Sequence, residues 1–273
     1  MMKKIIIWFL AFLITIAAAV YQRHTGPTYP KDLDVTLNDS GYELELVRSL
    51  ALDEKPEVWL AIPDTSVRAK LFYKRFRTAE EYQAVMFSYR NEDEKEGFFA
   101  EVPQQPAAGK LEYYIEITDS SGSRTYFLEE PIVIRFKGAV PDYILVPHIF
   151  FMFLAMFFSN LAGLMSLFNV PQYRKYGIWT LILLIAGGAI LGPLVQYHAF
   201  GELWTGIPFG WDLTDNKTLI ALIFWILAVY MNRKEEKPLY TALAAFVLLL
   251  IYSIPHSLFG SELDYTSGEV TQG

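Results

Sequence analysis

Histidine is the residue type in this chain best placed to do chemistry. There are four, His24, His148, His198 and His256, and no cysteine. Imidazole is the usual nitrogen ligand for zinc, copper and haem iron. His198 lies at the start of the richest stretch, residues 197–218, which reads YHAFGELWTGIPFGWDLTDNKT and joins two apolar runs. Trp204, Trp211, Phe200 and Phe209 share it with the carboxylates Glu202, Asp212 and Asp215. Such rings suit the headgroup level of a bilayer, and they equally suit a shelf for a flat apolar ligand with polar edges. His148, His198 and His256 would together hold zinc, with Asp212 or Glu202 as general base for a bound water. The lack of cysteine removes thiolate ligands, disulfides and a cysteine nucleophile. The sequence contains no phosphate-binding glycine loop, Gly-x-Ser-x-Gly elbow or HExxH motif.

The elements that must position these residues emerge from composition and pattern. With 273 residues there is room for two domains, and 53% hydrophobic against 19% charged residues is too apolar for an ordinary soluble protein. The net charge of −7 argues against nucleic acid as a partner. Residues 1–24 begin MMKKIIIWFLAFLITIAAAVY, a signal anchor, or a signal peptide with Ala17–Ala19 as its cleavage site. Either would export the next stretch of chain.

From 25 to 142 short alternating segments are broken by turn residues. Strands are predicted at 42–47, 57–62, 67–76, 83–89, 98–102, 110–117, 124–128 and 132–136. Leu111, Tyr113, Ile115 and Ile117 alternate with polar neighbours, the period of a half-buried strand. The DSSGS after them predicts a hairpin with 124–128, and NEDEKEG at 91–97 reads as a solvated hairpin tip. So many short strands point to a β-sandwich. The run EYYIEITDSSG is similar to the late hairpin of fibronectin type III-like modules in exported bacterial proteins.

Residues 143–257 hold four further apolar runs, at 143–168, 178–199, 218–231 and 239–254. The last two are short for a span and are expected to borrow turns from Asp215–Lys217 and Lys237–Pro238. Asp215 is expected to cap the helix it precedes, and Ser159, Asn160 and Ser166 to bond between helices. The expected fold class is therefore an α+β membrane protein: a signal anchor or signal peptide, an extracytoplasmic β-sandwich, a four-helix transmembrane bundle, and a tail at 258–273. Lys3, Lys4, Arg174, Lys175, Arg233, Lys234 and Lys237 fall on one side if every run crosses. The positive-inside rule makes that side cytoplasmic. The sandwich, the aromatic loop, the tail and all four histidines then face outward from the cytoplasmic membrane, His148, His198 and His256 at similar depth on three different spans.

The segment GAILGPLVQYHAFGELWTGIPFGWDLTDNKTLIALIFWILAVYMN resembles the tryptophan-rich "WWD" region of haem-handling membrane proteins of cytochrome c biogenesis. Phe200-Gly201, Trp204, Trp211-Asp212 and Thr218 keep that family's order across residues 145–260. Phe200 stands for a tryptophan, and TGIPFG separates Trp204 from Trp211 where the family is tighter. The resemblance implies haem held by axial His148 and His256, with Trp204, Phe209, Trp211 and Asp212 around it. His198 falls where the family needs no ligand.

Three functions are in play: a haem-binding membrane protein of cytochrome assembly or membrane electron transfer; a zinc-dependent membrane hydrolase; and an anchored adaptor whose sandwich binds another membrane or exported protein. Copper is an alternative metal.

Overall fold

The computed structural model describes every residue except Met1, Asp93, Glu94, His256, Ser257, Phe259 and Gly273, and the side chains of Thr271 and Gln272. The chain divides into two compact units, one formed mainly by residues 1–27 and 140–260, the other by residues 28–139 and 261–271.

The second unit is built from strands. In chain order they are β1 (Lys31–Leu37), β2 (Ser40–Leu46), β3 (Ser49–Ala51), β4 (Glu57–Leu60), β5 (Arg68–Arg75), β6 (Gln83–Met86), β7 (Ser88–Glu92), β8 (Lys95–Glu101), β9 (Lys110–Asp119), β10 (Gly122–Tyr126) and β11 (Ile132–Lys137). One sheet runs β3-β11-β9-β5-β6 with β10 also paired to β9; a second runs β4-β8-β7; β1 and β2 form a separate ribbon. The alternation read from 111–117 is the reason β9 lies at the centre. Its odd-numbered residues oppose Ala69, Leu71, Tyr73 and Arg75 of β5 in register, and Leu111, Tyr113, Ile115 and Ile117 are buried. Burying side chains of this size contributes about 1.5–3 kcal/mol each. The core they share draws on β1, β2, β4, β5, β8 and β11. The hairpin predicted at DSSGS forms as β9–β10. The single strand expected over 83–89 is two, β6 and β7, which join different sheets. Strands β1 and β3 lie outside the predicted set.

The tail at 261–271 belongs to this same unit. Strands β12 (Ser261–Leu263) and β13 (Val270–Gln272) form a small hairpin, and Leu263 N–H donates to Ala108 O at 3.0 Å.

The other unit is helical: α1 (Met2–His24), α2 (Asp142–Leu167), α3 (Tyr173–Leu184), a π-helical stretch Ile185–Leu191, α4 (Gly192–Phe200), α5 (Leu213–Met231) and α6 (Pro238–Ser253). Helices α1, α2, the continuous 173–200 rod and α5 are each long and apolar enough to cross a membrane, and α6 is a shorter apolar helix. This is a multi-pass membrane protein. Helices α5 and α6 do take in the flanking turns, starting at Leu213 and Pro238. The π turn precedes Pro193, which has no N–H to continue an α ladder; the Gly192 N–H reaches back five residues to Gly187 O instead.

Polar pairs set the packing inside this unit. Asn160 of α2 donates to Thr15 Oγ1 of α1 at 3.0 Å, both buried, while Ser166 bonds locally to Gly163 O. Ser159 Oγ has no partner among the described residues. At one end, Lys3 donates to Phe168 O, Arg174 to Arg233 O, and Tyr173 to Asn232 Oδ1. The basic residues grouped from sequence therefore gather at one end of the helices.

Candidate functional site

The aromatic loop, residues 201–212, occupies the helices' other end, and its backbone is held by side chains from the helices on both sides. Helix α4 stops at Gly201, whose φ of +87° suits the left-handed turn that closes a helix. Helix α5 begins at Asp212, whose carboxylate accepts the Thr214 and Asp215 N–H groups at 2.8 and 3.1 Å. Asp212 is thus the cap, not Asp215 as expected from sequence. The reason is geometric: Asp215 is three residues inside the helix, and its carboxylate turns back to the loop. There it accepts the N–H groups of Thr205 at 2.6 Å and Gly206 at 3.0 Å. Asn216 Oδ1 accepts the Ile207 N–H at 2.8 Å, and Gln196 of α4 donates to Thr205 Oγ1 at 2.7 Å. Gly206 lies so close to α5 that a Cβ there would come within 2.6 Å of Asp215 Cβ.

Lys217 completes the arrangement. Its ammonium donates to Ile254 O at 2.9 Å and Pro255 O at 3.3 Å, satisfying carbonyls at the end of α6. Asp212, Asp215 and Lys217 are only 4–5% exposed. The rings are placed the other way round. Trp204 donates to Ile207 O at 3.1 Å and is half-buried, but Phe209 is 82% and Trp211 77% exposed. Sequence reasoning missed Gln196, Asn216 and Lys217. A lysine opening an otherwise apolar helical run was the available signal, since burying an ammonium demands acceptors.

The described histidines are dispersed over elements of this unit. His148, early in α2, has Nδ1 at 2.9 Å from Gly187 O in the π stretch, a carbonyl that also accepts from Gly192. An Nδ1–H donated to a backbone carbonyl fixes the tautomer and leaves Nε2 as acceptor or ligand. His198 is half-buried in α4 with its ring edge-on to Tyr197 at 5.8 Å. His256 lies outside the described residues. Glu202 is exposed on the loop. Among the described residues, no three His, Asp or Glu side chains form a group able to hold a metal ion.

The β unit offers a different surface. Asp32 stands opposite Glu45, and Asp34 opposite Glu43, across the β1–β2 ribbon. These exposed carboxylates line a groove with Trp59, and among the described residues none of them has an ion-pair partner. Like charges set directly opposite destabilise a ribbon. The second polar concentration is buried: Lys110 Nζ lies 2.5 Å from Glu262 Oε2 of the tail, and Arg77 reaches the same carboxylate at 3.4 Å. Tyr265 clamps the Lys110 backbone, accepting its N–H at 2.9 Å and donating to its carbonyl at 2.8 Å.

No protein-family model and no curated protein matches this chain. The WWD resemblance rests on the order of Phe200-Gly201, Trp204, Trp211-Asp212 and Thr218.

Proposed function

We propose that the chain is a non-catalytic multi-pass membrane protein that displays its β unit, a sandwich of the fibronectin type III kind, to bind another membrane or exported protein. The observation that carries this reading is the use of the loop's charges. Asp212, Asp215 and Lys217, the buried ionisable groups at the aromatic loop, are consumed in holding backbone N–H and C=O groups, so these three serve architecture rather than proton transfer.

Connectivity supports the topology. The β unit lies between α1 and α2, and the tail after α6 belongs to that same unit. An even number of crossings must separate them. Helices α2, 173–200 and α5 supply three, so α6 is the fourth despite its 16 residues. Lys217 at the start of α5 bonding to the end of α6 agrees with an antiparallel pair of equal depth. With the basic end cytoplasmic, the β unit, loop and tail face outward. Retention of α1 as an anchor is supported by Thr15, which satisfies the buried Asn160; cleavage at Ala17–Ala19 would remove it. A photo-crosslinking residue placed singly at exposed positions of the β unit, such as Glu43 and Met86, tests the reading in intact cells. A position-dependent adduct with one protein is expected; absence of protein adducts from every face would defeat it.

A second reading is favoured by one observation. His148 is oriented through Nδ1 as a metal-ligating histidine is, and it lies in a π-helical environment of the sort frequent at functional sites. Haem at the outer face, with His148 and His256 axial, would draw on the protein for ligation, burial and second-shell bonds. Haem titration of wild type, His148→Ala, His198→Ala and His256→Ala decides it. A Soret band altered by the first and third substitutions is expected, and an unchanged spectrum in both, or no uptake, refutes it. Similar loss of zinc from all three variants would point to the hydrolase.

A further inference from the structure

The aromatic loop is turned inside out relative to a loop that faces water, and we infer that residues 203–211 are a fixed wedge seated in the interfacial layer of the bilayer, at the level of phospholipid glycerol and headgroups. The stretch LWTGIPFGW contains no charged residue. Its apolar side chains point out: Leu203 is 51% exposed, Ile207 44%, Phe209 82% and Trp211 77%. Of the ionisable groups beside it, Asp212, Asp215 and Lys217 are almost wholly buried, and only Glu202 at its start is exposed. A loop in water has the reverse arrangement, because exposed apolar area is costly and charges are best hydrated.

Two observations identify lipid as the occupant. The loop joins the ends of two candidate spans, Phe200 of the 173–200 rod and Leu213 of α5, which fixes its level near the membrane surface. The helices on either side of it also expose apolar side chains, Leu194 and Tyr197 before the loop and Ile220 and Ile223 after it. Tryptophan is enriched at this depth, where an apolar ring and a polar N–H are both accommodated.

The wedge is held rather than tethered. Asp215, Asn216 and Gln196 fix Thr205, Gly206 and Ile207 through five hydrogen bonds of 2.6–3.3 Å. Side chains a few residues along are therefore presented outward by a framed backbone. Such an anchor belongs to the membrane surface between the two spans, independently of what the β unit binds.

The natural absence of cysteine allows a direct test. Full-length Phe209→Cys and Trp211→Cys, each spin-labelled and reconstituted in phosphatidylcholine–phosphatidylglycerol vesicles, are compared with Ile223→Cys as a lipid-facing reference and Ser267→Cys as the tail reference. Power saturation should show 209 and 211 more accessible to oxygen than to an aqueous nickel chelate, at a depth between the two references. Quenching of Trp211 fluorescence by lipids brominated near the glycerol, taken as wild type minus Trp211→Phe, supplies a reading that keeps Phe209 in place. Nickel-favoured labels and no quenching would mean water faces the loop and overturn the wedge. Labels shielded from both reagents would mean that protein or a flat ligand covers the loop, which overturns it equally.

Discussion

Replacing Glu262 by glutamine should destabilise the β unit although Glu262 lies far along the chain from its core strands. Lys110 and Glu262 side chains are 10% and 11% exposed and their charged atoms are 2.5 Å apart. Removing one partner of a buried pair costs about 3–5 kcal/mol, because the other charge stays desolvated. Arg77 and Arg135 repel the stranded ammonium, while its slight exposure allows some hydration, so about 3 kcal/mol is expected. For a unit of this size that lowers Tm by roughly 10 °C. Trp59 is the only tryptophan between residues 28 and 139, so the part of the emission change of the full-length, detergent-purified protein that is lost in a Trp59→Phe background reports this unit. The paired change Lys110→Met with Glu262→Leu removes both charges and should recover most of the loss. Burial holds the Lys110 ammonium below the ordinary lysine value, with Glu262 opposing that depression. Between the lowered and ordinary values the unfolded chain binds more protons, so this group makes stability rise with pH across that window. Losing Glu262 should extend the window downward, giving the variant a steeper rise with pH below the ordinary lysine value than the wild type. A Tm within about 2 °C of wild type, or a double variant no better than the single one, would refute the reasoning.

Three further outcomes are expected. A soluble fragment of residues 28–138 should melt below the same fragment carrying residues 261–271 on a short linker, since the Tyr265 clamp and the Glu262 pair are lost; equal melting in circular dichroism would show the tail to be dispensable. Glu43→Lys should stabilise the unit by about 0.2–1 kcal/mol by breaking a like-charge cross-strand pair, and added salt should shrink the gain; an unchanged or lower Tm in low salt would contradict it. Ser267→Cys should react with an impermeant maleimide in intact cells, whereas labelling only after lysis would reverse the proposed orientation.

Much of the architecture is carried by local pattern, because period and length are properties of the chain itself. Leu111 to Ile117 alternate, so they had to line one face of a strand; the apolar runs exceed what a soluble core would need, so they had to be helices in a bilayer. The basic residues fall into groups by position alone, and the helices then bring Lys3, Arg174 and Arg233 to one end through bonds to neighbouring carbonyls. What sequence order could not determine is which polar group meets which. Asp212 and Asp215 are equivalent as text, and only the direction of the first turn of α5 makes one a cap and the other the loop's anchor. The short 83–89 stretch reads as one strand, but its two halves join different sheets. Lys110 looks like a surface residue at a strand end until the tail, 152 residues later, brings Glu262 to it. Local propensity is written within a few residues, but long-range pairs form only where the folded chain closes on itself, and there tertiary structure alone decided the partners.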